Sequence, residues 1–314
     1  MSVMQMMPTI RILVNPEEKE GLTEDQKLAA LMRALGHWNA QTLDIRDAVK
    51  QTYLDSRLYG DGEKPIYLFR NVYPASDFKD TVVELQKAAD FNNIQIFVTP
   101  RRNGRIMEDK SYLREQVKGH PNVLSTWFGD EAGPLPRANK GQYIVKPVSG
   151  SSAIGVYFAD AAQVKEKRAK GDLQGHIVQR RLDLQDERSI YFVDSNFIYA
   201  TKTRDGTSLD PDQRWDMVEY EPSAKEMKLA REFERFCTRS PGQVVRIDFG
   251  TDQKGKQWLM ELEDLSPHLS FDCVSEESAV KMTKAIMTSI ERGRALIMKN
   301  GRKPIGSLPS AFGL

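Results

Sequence analysis

Ionisable residues recur at a spacing of two near the end of the sequence, in segments typical of strands. Arg246 and Asp248 lie two residues apart in QVVRIDFG, so in a strand they share one face while apolar residues take the other. Glu261 and Glu263 share a face of the next segment, WLMELED, which a turn at 251–256 should fold back beside Asp248. Converging carboxylates repel unless cations neutralise them, and Mg²⁺ prefers carboxylate and phosphate oxygens. We predict a metal site of Asp248, Glu261 and Glu263; a salt bridge or a solvent-facing strand edge is the alternative.

A lysine followed by a loop of small residues offers a second kind of chemistry. Lys146 ends the apolar run YIVK, and the turn after it is rich in glycine and serine. Backbone N–H groups of such a loop approach phosphate oxygens closely, and the lysine adds a positive charge. It differs from a Walker A loop, because the lysine precedes the glycines and a strand follows them. A hairpin without a ligand remains the alternative. The loop residues are Ser149, Gly150, Ser151, Ser152 and Gly155.

A polar connection joins two apolar runs in the segment 176–193. The edge of a strand at such a connection can give an adenine ring its backbone hydrogen bonds, and a carboxylate there can hold ribose hydroxyls. Glu187 is the carboxylate in this position. For this segment alone, a charged surface loop is an equally good interpretation.

The first hundred residues alternate between short apolar runs and segments with helical spacing. This alternation predicts an open, mainly parallel α/β sheet. No Gly-x-Gly-x-x-Gly follows the first strand, so a dinucleotide-binding domain is not supported. We interpret this part as a scaffold or a substrate-side domain. Strands are predicted at 9–14, 42–45, 65–69 and 94–98, and helices at 24–35 and 77–91.

The pattern changes to antiparallel hairpins after a segment, 130–140, with two prolines and a glycine that is typical of a linker. Helical spacing interrupts the hairpins and then ends the fold. Predicted strands are 123–128, 143–147, 155–158, 176–182, 189–203, 243–250 and 257–262. Predicted helices are 108–119, 159–170, 223–239 and 276–298.

Composition limits the classes of function. The net charge is +1 over 314 residues, which argues against a nucleic-acid partner held by bulk electrostatics. The sequence shows no secretory leader and no apolar run of membrane-spanning length, and its two cysteines predict no disulfide framework. We therefore expect a cytoplasmic protein with no membrane partner.

From about residue 105 to 295 the sequence resembles the ATP-grasp superfamily, in particular D-alanine–D-alanine ligases and the glutamate ligases that modify ribosomal protein. The motifs come in the family's order: Asp109-Lys110, then Lys-Pro with a Gly-Ser loop, an acidic strand edge, Arg-x-Asp, and Glu-x-x-x-x-Ser-Pro. Each motif is degenerate alone, but five in the correct order are specific. Glu263 departs from the pattern, because these families usually place asparagine there.

The resemblance implies an α/β (α+β) ATP-grasp fold. An N-terminal α/β pre-ATP-grasp domain, 1–105, would precede an ATP-grasp domain, 106–314. The latter would contain a small lid subdomain at about 141–204 and a C-terminal subdomain at about 220–300. Its cofactors would be ATP and Mg²⁺.

The implied activity joins a carboxylate to an amine through an acyl phosphate and releases ADP and phosphate. A kinase that phosphorylates a hydroxyl, or a nucleotide-binding regulatory module, is the alternative. The partner would be a small-molecule, amino-acid or peptide substrate, and a homodimer is an expectation from the family.

Site roles also follow from the resemblance. Arg246 would stabilise the tetrahedral and acyl-phosphate oxygens, and Lys202 or Arg204 would face the γ-phosphate. Metal ligands would be Asp248 and Glu261, with Glu263 at a second metal position. The ATP-binding residues would be Lys110, Lys146, Ser149, Gly150, Ser151, Ser152, Gly155, Gln179, Arg180, Arg181, Leu182 and Glu187.

Overall fold

The computed structural model describes residues 8–36, 38–60, 62–72, 75–98, 101–102, 105–106, 110–137, 141–150, 154–203, 216–237, 239–264 and 267–299. Within them the chain forms a parallel sheet, two antiparallel sheets and a two-stranded ribbon. The ribbon pairs β5 (Arg101–Arg102) with β6 (Arg105–Ile106). The helices and the other strands are introduced below with the sheet that they serve.

The first sheet is parallel throughout. Its strands are β1 (Thr9–Val14), β2 (Asn39–Asp44), β3 (Ile66–Phe69) and β4 (Gln95–Phe97), in the order β2-β1-β3-β4. Each neighbouring pair runs in the same direction, which confirms the predicted open parallel sheet. Every residue of β3 is buried, as expected for a strand covered on both faces.

Helices connect these strands. They are α1 (Lys19–Ala34), α2 (Ile45–Tyr59) and α3 (Lys79–Asn92), the last preceded by a 3₁₀ turn at Ala75–Phe78. We did not predict α2 from the sequence. Its buried face includes Thr52 and Asp55 as well as apolar residues, so the apolar periodicity is interrupted.

The predicted helix 108–119 is wrong in its extent. Only α4 (Tyr112–Glu115) is helical, and Lys110 lies before it rather than in its first turn. The backbone N–H of Lys110 instead donates to the Val148 carbonyl at 2.9 Å. Glu108 and Asp109 lie outside the described residues.

A small antiparallel sheet follows. Its strands are β7 (Thr126–Phe128), β8 (Gln142–Pro147), β9 (Tyr157–Asp160) and β10 (His176–Arg180), in the order β7-β10-β8-β9. Helix α5 (Ala161–Lys170) covers it and begins with a capping box, which satisfies N–H groups of the first turn.

The large antiparallel sheet has the order β13-β12-β11-β14-β15. Hairpin β11–β12 pairs with β14, so the expected lid subdomain, 141–204, spans strands of two different sheets. The division into domains stays a prediction. The strands are β11 (Leu184–Val193), β12 (Asn196–Thr203), β13 (Met217–Tyr220), β14 (Val244–Asp252) and β15 (Gln257–Glu263), and the helices are α6 (Ala224–Glu234) and α7 (Glu276–Lys299).

The largest apolar core joins the first sheet to the end of the chain. Ile12 and Phe69 of the parallel sheet share it with Tyr191 of β11 and with Met282 and Ile286 of α7. Each of these side chains is 2% exposed or less. The parallel sheet and the large sheet are therefore packed around the same final helix.

A second core lies between the two antiparallel sheets. It contains Phe128 and Ile177 of the small sheet, Phe249 and Leu259 of the large sheet, and Phe233 of α6. This packing brings the inner faces of the two sheets together along one edge, beside the polar residues described next.

Candidate active site

Strand pairing places the predicted charges opposite one another. Arg246 on β14 faces Glu263 on β15, and Asp248 faces Glu261. Oxygen atoms of the three carboxylates lie within 4.8 Å of one another. The convergence predicted from the two-residue spacing is confirmed.

Arg246 is the buried cation of this cluster. Its side chain is 9% exposed, and its guanidinium donates to Asp248 from Nε at 2.9 Å and from a terminal nitrogen at 2.8 Å. The same terminal nitrogen lies 3.0 Å from a Glu263 oxygen. A third nitrogen donates to the His268 carbonyl at 3.4 Å. A buried guanidinium needs such partners, and here three groups, Asp248, Glu263 and the His268 carbonyl, fix its plane.

The carboxylates differ in their electrostatics. Burial acts to raise the pKa of Glu261, but the charges of Lys110, Arg246 and Lys146 outweigh it and hold that pKa below its usual value. Burial raises the pKa of Glu263 to about 7, with Glu261 adding to the rise and Arg246 opposing it. The negative charge of Glu263 is therefore disfavoured in this cluster, and a further cation would relieve the repulsion between the carboxylates.

Lys110 connects the two sheets. Its ammonium donates to the Gly150 carbonyl at 2.8 Å and lies 3.3 Å from Glu261. The side chain is only 11% exposed. Lys110 therefore holds the loop after β8 close to the carboxylates of β15.

The structure describes part of the predicted phosphate-binding loop. Lys146 is half-buried on β8, and Ser149 is exposed just beyond the strand. Gly150 has a φ of 146° and Gly155 a φ of 75°, both in the region that favours glycine. Ser151 and Ser152 lie outside the described residues.

The predicted adenine border lies at the connection from β10 to β11. Gln179 is buried and donates to the Thr126 hydroxyl at 2.8 Å. The guanidinium of Arg180 lies 4.7 Å from the ring centre of Trp258, and that of Arg181 lies 4.1 Å from the ring centre of Phe158. These two side chains therefore point to aromatic rings, which leaves their backbone groups as the candidate contacts to a base.

Leu182 and Glu187 complete that border. Leu182 is half-buried between β10 and β11. Glu187 lies on β11 opposite Gly250, and its backbone N–H donates to the Thr203 hydroxyl at 3.0 Å. Its role toward a ribose stays a prediction.

The predicted γ-phosphate lysine lies two strands from Asp248. Lys202 is half-buried on β12, and its ammonium lies 5.8 Å from the ring centre of Tyr220. Arg204 lies outside the described residues. The structure brings Lys110, Arg246 and the three carboxylates together, whereas it leaves Lys202 at the other side of β11.

The sequence analysis did not identify Ser189 and Tyr112, which form hydrogen bonds with the strands that carry the carboxylate cluster. The Ser189 hydroxyl donates to Asp248 at 2.7 Å from the neighbouring strand. The Tyr112 hydroxyl accepts the Leu262 N–H at 3.1 Å, and burial beside Glu261 raises its pKa well above the usual value. Only the strand register reveals Ser189, because nothing in its local sequence indicates a partner.

The donor set fits a divalent cation. All three candidate ligands supply carboxylate oxygens, which Mg²⁺ prefers, and their spacing lets one ion reach more than one of them. Among the described residues this is the group of acidic, histidine or cysteine side chains with metal-binding geometry. Asp248 and Glu261 would hold the ion, with Glu263 beside it.

Comparisons with known proteins gave no match by sequence but several matches by structure. No model of a protein family and no curated protein sequence matches this chain. Among solved structures, D-cycloserine synthetase DcsG matches with a TM-score of 0.66 and 18% identity, over 90% of this chain and 99% of that one. D-alanine–D-alanine ligase from Bacillus anthracis in complex with ATP matches with a TM-score of 0.60 and 13% identity, over 94% and 100%. ATP-grasp ligase PsnB, in complex with a variant of its minimal precursor, Mg and ADP, gives 0.59 and 13%, over 90% and 98%.

The chain has the ATP-grasp fold. The predicted fold is thereby confirmed. In this ATP-grasp chain the predicted phosphate residues belong to the small sheet and its loop, and the predicted metal ligands belong to β14 and β15. Lys110 contacts both the Gly150 carbonyl in that loop and Glu261 on β15, so the candidate site lies between the small and the large sheet. No helix of the described residues has the length and apolarity needed to cross a membrane.

Proposed function

We propose that this protein is an ATP- and Mg²⁺-dependent ligase that joins a carboxylate to an amine. The observation that carries the proposal is the cluster of three carboxylates around Arg246 on paired strands of an ATP-grasp fold. Two further cations, Lys110 and Lys146, contribute positive charge at Glu261. A site with this balance suits a polyphosphate with a divalent cation.

The reaction would proceed in two steps. An oxygen of the substrate carboxylate attacks the γ-phosphorus of ATP, so that ADP leaves and an acyl phosphate remains. The amine then attacks the acyl carbon. Phosphate leaves with the electron pair of the carbon–oxygen bond that joined it to the acyl group. The amine loses a proton as the amide forms. A divalent cation at the carboxylate cluster would supply charge neutralisation for the phosphates.

The chain's own residues would act by position and charge. Lys110 would bind phosphate oxygens, as its contact with both Gly150 and Glu261 places it between the loop and the carboxylates. Arg246 would stabilise the oxygen that becomes negative at the acyl carbon, and its fixed plane means that little reorganisation is needed. No covalent protein nucleophile is needed in this scheme.

The matching structures support a proposal for the substrate class. Matching structures include a ligase solved with its precursor peptide and a D-alanine–D-alanine ligase. We propose that the acid and the amine are an amino acid, a small peptide or a similar small molecule. The cytoplasmic location and the homodimer expected from the sequence remain predictions.

The decisive test measures ADP and phosphate release with Mg²⁺-ATP against a panel of amino acids and small peptides. Asp248→Asn is the site variant, and Glu166→Gln is its control, since Glu166 is exposed and pairs with Lys170 on α5. Turnover that requires particular acid–amine pairs, is lost in Asp248→Asn and persists in Glu166→Gln supports the ligase.

The product distinguishes the ligase from the kinase alternative. Mass spectrometry should find an amide together with free phosphate, and hydroxylamine should divert the acyl phosphate to a hydroxamate. A stable phosphorylated product would instead assign the protein to phosphoryl transfer. If Mg²⁺-ATP does not bind in a titration of the full chain, the nucleotide site itself is refuted.

A further inference from the structure

The segment that follows β15 forms hydrogen bonds with several distant parts of the chain. This segment, 267–271, which we call the anchor segment, passes between the parallel sheet and the large sheet. Leu269 and Phe271 within it are 0% and 2% exposed. Its backbone and side-chain groups meet partners from both sheets, and these partners are described in turn.

The N-terminal part of the chain supplies the first set of partners. Both oxygens of Glu24 on α1 are used, since Leu269 N–H donates to one at 2.7 Å and Phe271 N–H to the other at 3.3 Å. Arg70, which follows β3, donates to the Pro267 carbonyl at 2.9 Å. These contacts join residues about two hundred positions apart in the chain.

The large sheet supplies the second set. The Tyr191 hydroxyl lies 2.8 Å from the Ser270 hydroxyl, and the Tyr199 hydroxyl donates to the Leu269 carbonyl. Arg246 donates to the His268 carbonyl at 3.4 Å. The anchor segment is therefore a physical link from Glu24 to the guanidinium at the centre of the candidate site.

The place of this link in the parallel sheet is informative. In open α/β sheets the strand order 2-1-3-4 reverses between β1 and β3, and ligands commonly bind beyond the carboxyl ends of the strands there. Arg70 and Asn71 follow β3 at this position, and both are buried with Asp25. Here the chain's own anchor segment takes the place of a ligand.

Close packing shows how strictly the arrangement is built. Asn71 donates to Asp25 at 2.6 Å and to the Gly21 carbonyl at 3.0 Å. A Cβ at Gly21 would lie 2.5 Å from Asn71 Cγ, a distance that real side chains do not adopt. Glycine at 21 thus lets α1 approach the end of β3, and α1 is the helix that carries Glu24.

We propose that Glu24 is a positioning residue of the candidate site, which it serves by holding the anchor segment so that the His268 carbonyl orients Arg246. The proposal deepens the proposed ligase function and rests on it for the catalytic role of Arg246. Each carboxyl oxygen of Glu24 accepts one backbone N–H, so loss of the group would leave two buried donors without this partner. Helix α1 of the N-terminal part then belongs to the reaction machinery rather than to a passive scaffold.

The test compares the full-length protein with Glu24→Gln and Glu24→Ala. Glu18→Gln is the control, because it removes the same charge beside the same helix and no side-chain capping bond of Glu18 is described there. Amide exchange by mass spectrometry reports on the anchor segment, and phenylglyoxal modification of Arg246 reports on its guanidinium. Both readouts work on the free protein, without substrate.

In Glu24→Gln we expect amide exchange of the anchor segment to quicken by about tenfold or more while β14 keeps its protection. Phenylglyoxal should modify Arg246 several times faster, whereas Glu18→Gln should match the wild type in both measurements. Should Glu24→Ala fail to fold, Glu24→Gln still decides, since its amide retains one acceptor oxygen.

Two results would overturn the proposal. One is unchanged exchange of the anchor segment in Glu24→Gln, which would show that Glu24 does not hold it. The other is faster exchange with unchanged modification of Arg246, which would show a structural role only. Where the ligase assay yields a substrate pair, Glu24→Gln should lower kcat with the KM for ATP kept; a wild-type protein without turnover instead refutes the proposed function and leaves the two chemical readouts valid.

Discussion

Arg246 lies directly across the strand pair from Glu263, and one terminal nitrogen of its guanidinium contacts both Glu263 and Asp248. A single buried cation therefore serves two carboxylates that would otherwise repel each other. Any added cation near Asp248 competes with Arg246 for the same oxygens. This relationship determines how the site should respond to metal, to pH and to substitution.

Replacing Lys110 by methionine should weaken ATP binding. The substitution removes the ammonium that contacts the Gly150 carbonyl and Glu261, and a buried charge-assisted contact contributes about 1.5–3 kcal/mol. We expect the Kd for Mg²⁺-ATP, measured by calorimetry, to rise by about tenfold or more. Lys118→Met is the matched control, because Lys118 is exposed in the same segment. Equal affinities in the two variants would contradict a role of Lys110 at the nucleotide.

The contribution of Glu263 to the stability of the metal-free protein should fall as the pH rises. Burial raises the pKa of Glu263 to about 7, so the folded state keeps a proton that the unfolded chain has already lost above its own pKa. The stabilisation is fully present below that unfolded value and is lost as the pH passes 7. The difference in the free energy of unfolding in urea between the wild type and Glu263→Gln should fall by about 1–3 kcal/mol between pH 5 and pH 8, because Glu24 and His268, whose pKa values are also shifted, titrate in both proteins.

Glu263→Gln and Mg²⁺ provide the controls for this pH dependence. The glutamine variant lacks the Glu263 contribution, because it cannot ionise, and Mg²⁺ should restore stability of the wild type at pH 8 by neutralising the cluster. A difference between the wild type and Glu263→Gln that does not fall across this range would disprove the assignment of a raised pKa to Glu263.

Gly21→Ala should destabilise the fold. The added Cβ would lie 2.5 Å from Asn71 Cγ, so Asn71 must move and its contacts with Asp25 and Gly21 are strained. Overpacking of this kind costs about 1–3 kcal/mol, measured as the free energy of unfolding in urea. Gly21→Ala should cost less in an Asn71→Gly background than in the wild type, because Cγ and Cβ of Asn71 are the atoms that the new Cβ meets. Strictly additive effects would show that the two positions do not touch.

His268 should stay neutral at physiological pH. Burial, together with the charges of Arg246 and Arg70, lowers its pKa to about 4. Its Nδ1 lies 3.2 Å from the Ser270 nitrogen and 3.3 Å from an oxygen of Glu24. Proton NMR of the imidazole should therefore show a titration midpoint below pH 5. A midpoint near 6.5 would mean that the ring is solvated and outside the field of the two arginines.

The chemistry of the site was more predictable than its supports. Alternation along two strands was enough to predict that Asp248, Glu261 and Glu263 converge, because side chains of a strand alternate with a fixed period and a tight turn sets the pairing. The parallel sheet followed from the same kind of local pattern. Boundaries were less secure, as the short helix after Lys110 shows.

The local sequence does not predict the contacts of the anchor segment. Glu24 and Arg70 bind backbone N–H and carbonyl groups, which every residue possesses, so residue type does not reveal the partner. Their partners lie far along the chain, and only the packing of α1 against the end of β3 brings them near. The role of Ser189 beside Asp248 was hidden for the same reason, since it depends on the pairing of β11 with β14.

The shared core around α7 has a consequence for the order in which the chain folds during synthesis. Ile12 and Phe69 emerge from the ribosome well before Met282 and Ile286, which complete their packing. The parallel sheet must therefore wait with one apolar face uncovered while most of the protein is translated. A nascent chain in this state presents the surface that chaperones bind, and it gains full cooperativity only when the last helix closes the core.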